Sequence, residues 1–510
     1  QSSSSYFVEV TLSDAIDLGP IPITLEINAE YIQSNDLLFY NDSYTFMLNV
    51  SLDQSGFPNE TSFPISSSPV MINVDADDED ELIIGDYDGK IRAYNTDGTT
   101  IENSVYPYQT GDQIWGSLAS ADIDLDGVMD FVVGSKDKHL YFFNELGYVG
   151  NYNTDSFLLS TPVIGNIDDD PELEILIGGY SGGDGRKIFA LNHDRTPVNG
   201  FPIYIGEKIK KGISLADFND NGKDDMVFGT DDDNIYLIYD DGSIADGFPY
   251  QTNGKIHSSP SILKYEDEHI IIAGSNDNNL YALNSDGTLR FTVEASDNIE
   301  TAPSFLNYLN NCYILFGDSD GYIYAVDQNG QMYPHFPIYT GSQITESIVV
   351  ADLDGNTIPD LIFGTQDGNM YAMSITGGLY NQMPIEFPFA YKSAPLIVDL
   401  DSDSDLEIIA GTSLSLNAID VKQAGLLDAY WSMYKGNFQR TGYNEFNALC
   451  NLGDLNEDGA IDILDVLQQI NIILGIIEPT LAQVCASDLN ADGTIDLLDI
   501  ILLVQLALDQ

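Results

Sequence analysis

Positive charge is scarce in this chain. Only 18 Lys and Arg residues stand against 81 Asp and Glu, for a formal net charge of −63. That balance makes nucleic acid or an anionic membrane a poor partner, because either would add like charge to like. Histidine is also rare, with five residues: His139, His193, His257, His269 and His335. None of them joins a recognisable acid–base set, and no nucleophile motif or phosphate-binding loop is present. Three cysteines in 510 residues are too few for a disulfide-built scaffold. No run of about 18 apolar residues exists, so no segment is expected to span a membrane. With no initiator Met and no signal-peptide pattern, Gln1 reads as a processed or trimmed end. A hydrophobic fraction of 43% and 30 tyrosines point instead to a packed, β-rich chain, long enough for several domains.

The acidic residues sit in register. Asp122, Asp124, Asp126 and Asp130 occupy positions 1, 3, 5 and 9 of a loop that turns at Gly127 and runs into Phe131-Val132-Val133-Gly134. Oxygen side chains at this alternation suit a hard, oxygen-seeking cation. The glycine ending the apolar run recurs at Gly85, Gly134, Gly178, Gly229, Gly274, Gly317, Gly364 and Gly411, at intervals of 43 to 51 residues. Each copy adds a third strand such as Lys90–Tyr94 and a hairpin turn such as Asp97-Gly98, Asp286-Gly287 or Asn329-Gly330. Four short antiparallel strands per unit of about 45 residues is the pattern of a propeller blade.

Four further loops repeat the ligand spacing. They are Asn166/Asp168/Asp170/Glu174, Asp217/Asn219/Asn221/Asp225, Asp352/Asp354/Asn356/Asp360 and Asp399/Asp401/Asp403/Glu407. The first unit, Asp75-Ala-Asp77-Asp-Glu79-Asp-Glu81, is two residues shorter. The fifth and sixth units, at Tyr265–Glu268 and Tyr308–Asn311, have lost the pattern and are expected to be metal-free. Five or six Ca2+ ions are therefore expected in the propeller, turning mutually repelling carboxylates into clamps. Phe-Pro pairs at 201, 248, 336 and 387 mark fourth strands. Phe63-Pro64 occupies the same place before the first unit, so residues 60–66 are expected to close the ring against the strand around 416–421. Tyr141, Tyr236, Tyr281, Tyr324 and Tyr371 fall at equivalent positions, read as inter-blade packing in preference to a sugar-binding ring.

These loops resemble the FG-GAP/VCBS repeats of integrin α-subunit propellers and secreted bacterial proteins, over roughly residues 62–445. The segment from Tyr430 to Gly442 resembles the tail of bacterial members. The resemblance implies adhesion or ligand binding more often than catalysis. Beyond it, Asp454/Asn456/Asp458/Asp462/Asp465 and Asp488/Asn490/Asp492/Asp496/Asp499 form two loops with ligands at 1, 3, 5, 9 and 12, and Ala460 and Thr494 offer position-7 carbonyls. Each loop runs into an apolar helix, from Ile463 and from Leu497, with no entering helix. This duplicate resembles a dockerin module, which implies two more Ca2+ ions and a cohesin-like partner. Its positions 10 and 11 are Ile463-Leu464 and Leu497-Leu498, either a hydrophobic contact face or a pair of surfaces buried against each other. Cys450 and Cys485 hold matching places in the two halves and are expected to pair; Cys312 is expected to be a buried free thiol.

The expected architecture is mainly β. A propeller of eight blades, with seven the alternative, covers 59–446. A small, partial immunoglobulin-like β segment covers 1–58, with strands at 6–13, 21–30 and 44–52. A small α-helical dockerin-like module covers 447–510. Sequons begin at Asn41, Asn49 and Asn59. The expected function is that of a secreted or cell-surface, non-catalytic calcium-binding protein in adhesion or assembly. It would attach to a cohesin-like protein or to another copy of itself as a filament subunit, with surface glycan a further candidate partner. The alternative is a polysaccharide lyase or a carbohydrate-binding part of a cellulosome-like complex.

Overall fold

The computed structural model describes residues 18–33, 36–75, 77, 79–427, 430–446, 452–456, 458–477, 479–489 and 495–509. The chain divides between Asp53 and Gln54 into two units. The first is one antiparallel hairpin whose arms, Gly19–Gln33 and Asp36–Val50, pair without a break from Gly19 against Val50 to Gln33 against Asp36. The strands expected at 21–30 and 44–52 are thus two arms of a single long hairpin, and the one expected at 6–13 lies outside the described residues.

The second unit carries eight sheets, one per repeat, each of four antiparallel strands, to which the blade 5 sheet adds a fifth, parallel strand. Their inner strands are Val70–Ile72, Ala119–Ala121, Val163–Gly165, Ser214–Ala216, Ser261–Tyr265, Ser304–Tyr308, Val349–Ala351 and Leu396–Val398. The second strands carry the apolar runs. Glu81–Gly85, Glu174–Gly178, Asp225–Gly229 and Asp360–Gly364 are buried at every residue, as sheets covered on both faces require. The recurring glycine has a steric cause. A Cβ on Gly229 would lie 2.0 Å from Cγ2 of Ile256, five residues ahead of the next blade's inner strand. The tyrosines make contacts within their own blades: Tyr236, Tyr324 and Tyr371 stack on Phe228, Phe316 and Phe363, while Tyr141 and Tyr281 donate to Asp137 and Asp277.

An N-terminal strand closes the ring, but not the residues expected. Asn59–Glu60 pairs with Leu416 and Ser415 as the outer strand of blade 8, and Gln54 N donates to Ala418 O. The proline that introduces it is Pro58, just as Pro107, Pro202, Pro249, Pro337 and Pro384 immediately precede the outer strands of blades 1, 3, 4, 6 and 7. Phe63-Pro64 and Phe387-Pro388 are therefore not the markers. Residues 61–65 form the linker into blade 1, where Ile65 covers Gly411 as Ile256 covers Gly229. Asn59 also donates its side-chain amide to Gly98 O, 3.0 Å away, inside the closure.

The tail after blade 8 fills the centre of the ring. Backbone carbonyls of Trp431, Ser432, Phe438, Gln439, Thr441 and Gly442 accept from inner-strand N–H groups of blades 7, 8, 2, 3, 4 and 5. Tyr443–Phe446 then runs parallel to the inner strand of blade 5. Arg440, fully buried, spans the plug: Nε, Nη1 and Nη2 donate to the carbonyls of Leu118, Tyr434 and Pro69 at 2.9, 2.8 and 2.9 Å. Buried Lys435 donates to Ile213 O.

Helices occur after the propeller: α1 (Ile463–Ile473), α2 (Leu481–Ser487) and α3 (Leu497–Asp509). α2 corrects the expectation that no helix enters either loop. Thr480 and Gln483 form a reciprocal capping box at its start.

Candidate functional site

The acidic loops join the inner and second strands of their blades, all at one end of the ring. Their shared anchor is the position-9 carboxylate, which accepts from the N–H of position 2. Ile123 donates to Asp130, Ile167 to Glu174, Phe218 to Asp225, Leu353 to Asp360 and Leu400 to Glu407, at 2.5 to 3.3 Å. Blade 1 shows the same bond, from Val74 N to Glu81 Oε2 at 2.7 Å. Its loop is therefore full length and begins at Asn73, giving Asn73/Asp75/Asp77/Glu81 in the pattern of Asn166/Asp168/Asp170/Glu174. Asn166 Nδ2 donates to Asp170 O, and Asn73 Nδ2 to Asp77 O. The reading from Asp75 to Glu81 overlooked Asn73 and so placed the loop two residues out of register. The apolar residue at position 2, present in every copy, was the signal.

Carboxylate oxygens lie within 4.8 Å of one another in five blades. The groups are Asp75/Asp77/Glu81, Asp122/Asp124/Asp126, Asp168/Asp170/Glu174, Asp352/Asp354/Asp360 and Asp401/Asp403/Asp405/Glu407. Asp130 and Asp399 stand outside the groups in their loops, and Asp405, at position 7, joins the last. Blade 4 has only two acids among its ligand positions. Asn219 turns its amide toward Asp225, and Asn221 donates to Asp240 at 2.9 Å. Asn356 Oδ1 accepts from Ile358 N. In blades 5 and 6 two-residue turns, Glu266-Asp267 and Leu309-Asn310, replace the loop.

The crowding is electrostatically costly. Burial, then neighbouring carboxylates, push Glu174 and Glu407 up to about 8 and Glu81 and Asp360 to about 7. Asp130 rises to about 6 for the same reasons. Several oxygens are left buried with no hydrogen-bond partner: Asp122 Oδ1, Asn166 Oδ1, Asp399 Oδ1 and Glu407 Oε1. An all-oxygen donor set with orphaned buried oxygens and repelling charge fits a hard divalent cation such as Ca2+.

The C-terminal loops are built differently. Asp465 is fully buried; its Oδ1 accepts from Leu455 N and Asn456 N, and its Oδ2 from Asp462 N. Asp462 caps α1 by accepting from Leu464 N at 2.7 Å. Asp454 accepts from Asp458 N and Gly459 N, and Asp458 from Ala460 N. The second loop repeats the bonds: Asp499 accepts from Leu489 N and Asp496 N, and Asp496 from Leu498 N. Asp488 is buried at the end of α2, while Asn490, Asp492 and Thr494 lie outside the described residues. Ile463, Leu464, Leu497 and Leu498 are 64, 53, 68 and 57% exposed, so positions 10 and 11 do not bury against each other. Cys485 is disulfide-bonded, whereas Cys450 lies outside the described residues; Cys312 is free and buried.

A second feature, which sequence reasoning missed, lies at the other end of the ring. The linkers entering the inner strands enclose an axial cavity of ≈ 270 Å³, floored by Tyr434 of the tail. Lys210, Lys211, Lys392, Glu300 and Glu346 line it. Beside it, His257 Nε2 meets Asp231 Oδ1 at 2.8 Å and its Nδ1 lies 3.1 Å from Lys210 Nζ. His257 thus does stand in a charged set, which its sequence neighbours do not reveal.

Comparison with known proteins bears on the fold and on the C-terminal module. Residues 452–506 match the dockerin type I domain. A stretch of 130 residues, 24% of this chain, is 31% identical to the lambda-carrageenase of Pseudoalteromonas sp., of which it covers 13%. The V. cholerae biofilm matrix protein Bap1 shares the fold, with a TM-score of 0.55 at 10% identity, over 75% of this chain and 93% of that one. Saccharomyces cerevisiae Sqt1 does so with a TM-score of 0.53 at 12% identity, over 73% and 99%. Dockerin domains bind calcium and imply a cohesin partner. Among the described residues no helix is long and apolar enough to cross a membrane. This chain is an eight-bladed β-propeller bearing a dockerin type I domain near its C-terminal end.

Proposed function

We propose that the protein is a secreted, non-catalytic building block: a calcium-braced propeller, of FG-GAP type in its loop pattern, delivered to an extracellular assembly by its dockerin domain. The observation that carries this reading is the exposure of Ile463, Leu464, Leu497 and Leu498 at matched places in the two halves. Four large apolar side chains on a calcium-organised module are a contact face, and their near-symmetry suits a partner that accepts either orientation. The partner is a cohesin domain, or a second copy of the chain, which would extend the contact into a filament. Six ions in the propeller and two in the dockerin domain complete the account.

The test is sedimentation of the full chain in calcium, alone and with type I cohesins. Calcium-dependent association that Leu464→Asp plus Leu498→Asp abolishes is expected. A monomer indifferent to every cohesin contradicts the reading. The second reading, a carbohydrate-binding or carbohydrate-cleaving component, is favoured by the stretch shared with a carrageenase. New ultraviolet absorbance from unsaturated products, on incubation with acidic polysaccharides, would replace the non-catalytic role with a lyase.

A further inference from the structure

The eight linkers follow one plan, and the departures from it converge on the axial cavity. Five residues ahead of the inner strand stands a buried side chain that covers a neighbour's glycine: Ile65, Ile114, Ile209, Ile256, Ile299 and Ile344 in six blades, with Leu158 and Tyr391 in the others. Three residues ahead stands, in five blades, a hydroxyl that pins the blade's own glycine, while blade 2 has Gly116 at that place. Ser67 and Gly85, Ser160 and Gly178, Ser258 and Gly274, and Thr301 and Gly317 exchange hydrogen bonds, and Gly411 N donates to Ser393. The covering side chain repeats in all eight because every blade interface needs the same packing.

Two sites break the plan with charge. Lys211 in blade 4 and Glu346 in blade 7 replace the pinning hydroxyl, so those blades forgo its hydrogen bond and place an ionisable group in the cavity wall. The position four residues ahead of the inner strand varies from blade to blade. Trp115, Lys210, His257, Glu300 and Lys392 occupy it in five blades, and small or neutral side chains in the other three. A ring that served only to support itself would keep these positions alike. An asymmetric set around a symmetric axis is what an asymmetric ligand requires.

Glu300 lies 3.7 Å from His257 Nδ1, but the lysines are not closed by the carboxylates. Lys210, Lys211 and Lys392 are three of only 18 cationic side chains, and among the described residues none of them forms a direct ion pair. Glu346 attracts Lys211 through space without touching it. Lys392 Nζ donates to the neutral Gln366 Oε1 at 2.6 Å. On the same wall Trp115 stacks on Tyr87 with ring centroids 5.0 Å apart, and its Nε1 donates to Gln113 Oε1 at 2.9 Å, which fixes the indole. Three ammonium groups face two carboxylates, a local positive excess on a molecule that elsewhere repels anions.

We propose that the axial cavity is a binding site for one acidic sugar residue of a polysaccharide, with Lys211 and Lys392 holding its anionic substituent and the Trp115–Tyr87 pair its ring. Its volume is at the small end for ligand pockets, about 300 Å³ and upward, which suits a single pyranose and its charged group. Glu300 and Glu346 accept from ring hydroxyls. The anion is a sulfate ester or a carboxylate, both of which a lysine ammonium serves as a point charge. This site goes beyond the assembly role and stands or falls apart from it, since cohesin binding and self-association do not involve the cavity.

The test is titration calorimetry of the calcium-loaded full chain with tetrasaccharides of three kinds: sulfated galactan, oligogalacturonate and neutral galactan. One site per chain is expected for one of the acidic probes, identifying sulfate or carboxylate as the anion. The neutral probe should bind about tenfold more weakly or worse, and so should the better probe after Lys211→Gln or Lys392→Gln. Lys392→Gln leaves a neutral amide partner and keeps the test valid if Lys211→Gln does not fold. Failure of both acidic probes at millimolar concentration, equal binding of the neutral one, or indifference to the folded variants would overturn the proposal.

Discussion

The carboxylate of Glu81 accepts a hydrogen bond from Val74 N at 2.7 Å, the bond that Glu407 accepts from Leu400 N in blade 8, its neighbour across the closure. Blade 1 therefore holds a complete loop, and its ligand set includes Asn73 and Glu81. Native mass spectrometry in calcium should count six propeller ions. Glu81→Gln and Asn73→Ala should each remove one ion, while Glu268→Gln, at the tight turn of blade 5, should remove none.

Without calcium the loops should make stability fall as pH rises. Glu174, Glu407, Glu81 and Asp360 have folded-state pKa values of about 7 to 8 against an ordinary carboxylate value near 4.5. The folded state thus binds more protons than the unfolded chain between those values. Stability is greatest below about pH 4.5 and is lost as pH rises through 7 to 8. Bound calcium holds the same groups ionised and should reverse the slope. Urea midpoints at pH 5 and pH 8, with calcium and with chelator, check both signs.

Arg440 is a buried cation that donates to three carbonyls and lies 5.9 Å from the ring centroids of Tyr434 and Phe438, and burial lowers its pKa to about 10. Arg440→Met leaves the carbonyls of Leu118, Tyr434 and Pro69 without their donor. Each orphaned group costs about 1–3 kcal/mol, so a loss of about 3 kcal/mol or more in urea unfolding is expected. Arg440→Lys, which can reach fewer of the three, should recover only part of it.

Ring closure depends on Ile65 as well as on the two-residue strand at Asn59–Glu60. Ile65 is fully buried on Gly411. Ile65→Ala should cost about 2–5 kcal/mol. Exchange of the Thr61 and Ile65 amides, which donate to Leu414 O and Thr412 O, should quicken before that of blade 4.

The blades were legible in the sequence because their glycines and loop acids recur, and recurrence reports packing that every interface shares. Phe201-Pro202, Phe248-Pro249 and Phe336-Pro337 marked three outer strands, but a two-residue strand such as Asn59–Glu60 carries no pattern of its own. Phe63-Pro64 drew the closure six residues too far along for that reason. Loop 1 was misread because asparagine at position 1 hides among acids. The plug formed by Trp431 to Phe446 pairs with strands up to several hundred residues away, and no local periodicity announces it. The axial cavity is built from single residues of separate linkers, invisible until the ring brings Trp115, Lys211 and Lys392 together.

The central claim is that calcium braces the ring. Each site, with calcium at about 100 times its Kd, adds about 2.7 kcal/mol to the folded state. Differential scanning calorimetry of the full chain, in millimolar calcium and in chelator at one pH, measures this directly. The account predicts a propeller transition that moves to markedly higher temperature in calcium, by an amount that shrinks when Asp124 and Asp354 are replaced with alanine. Superimposable transitions in calcium and chelator would contradict it.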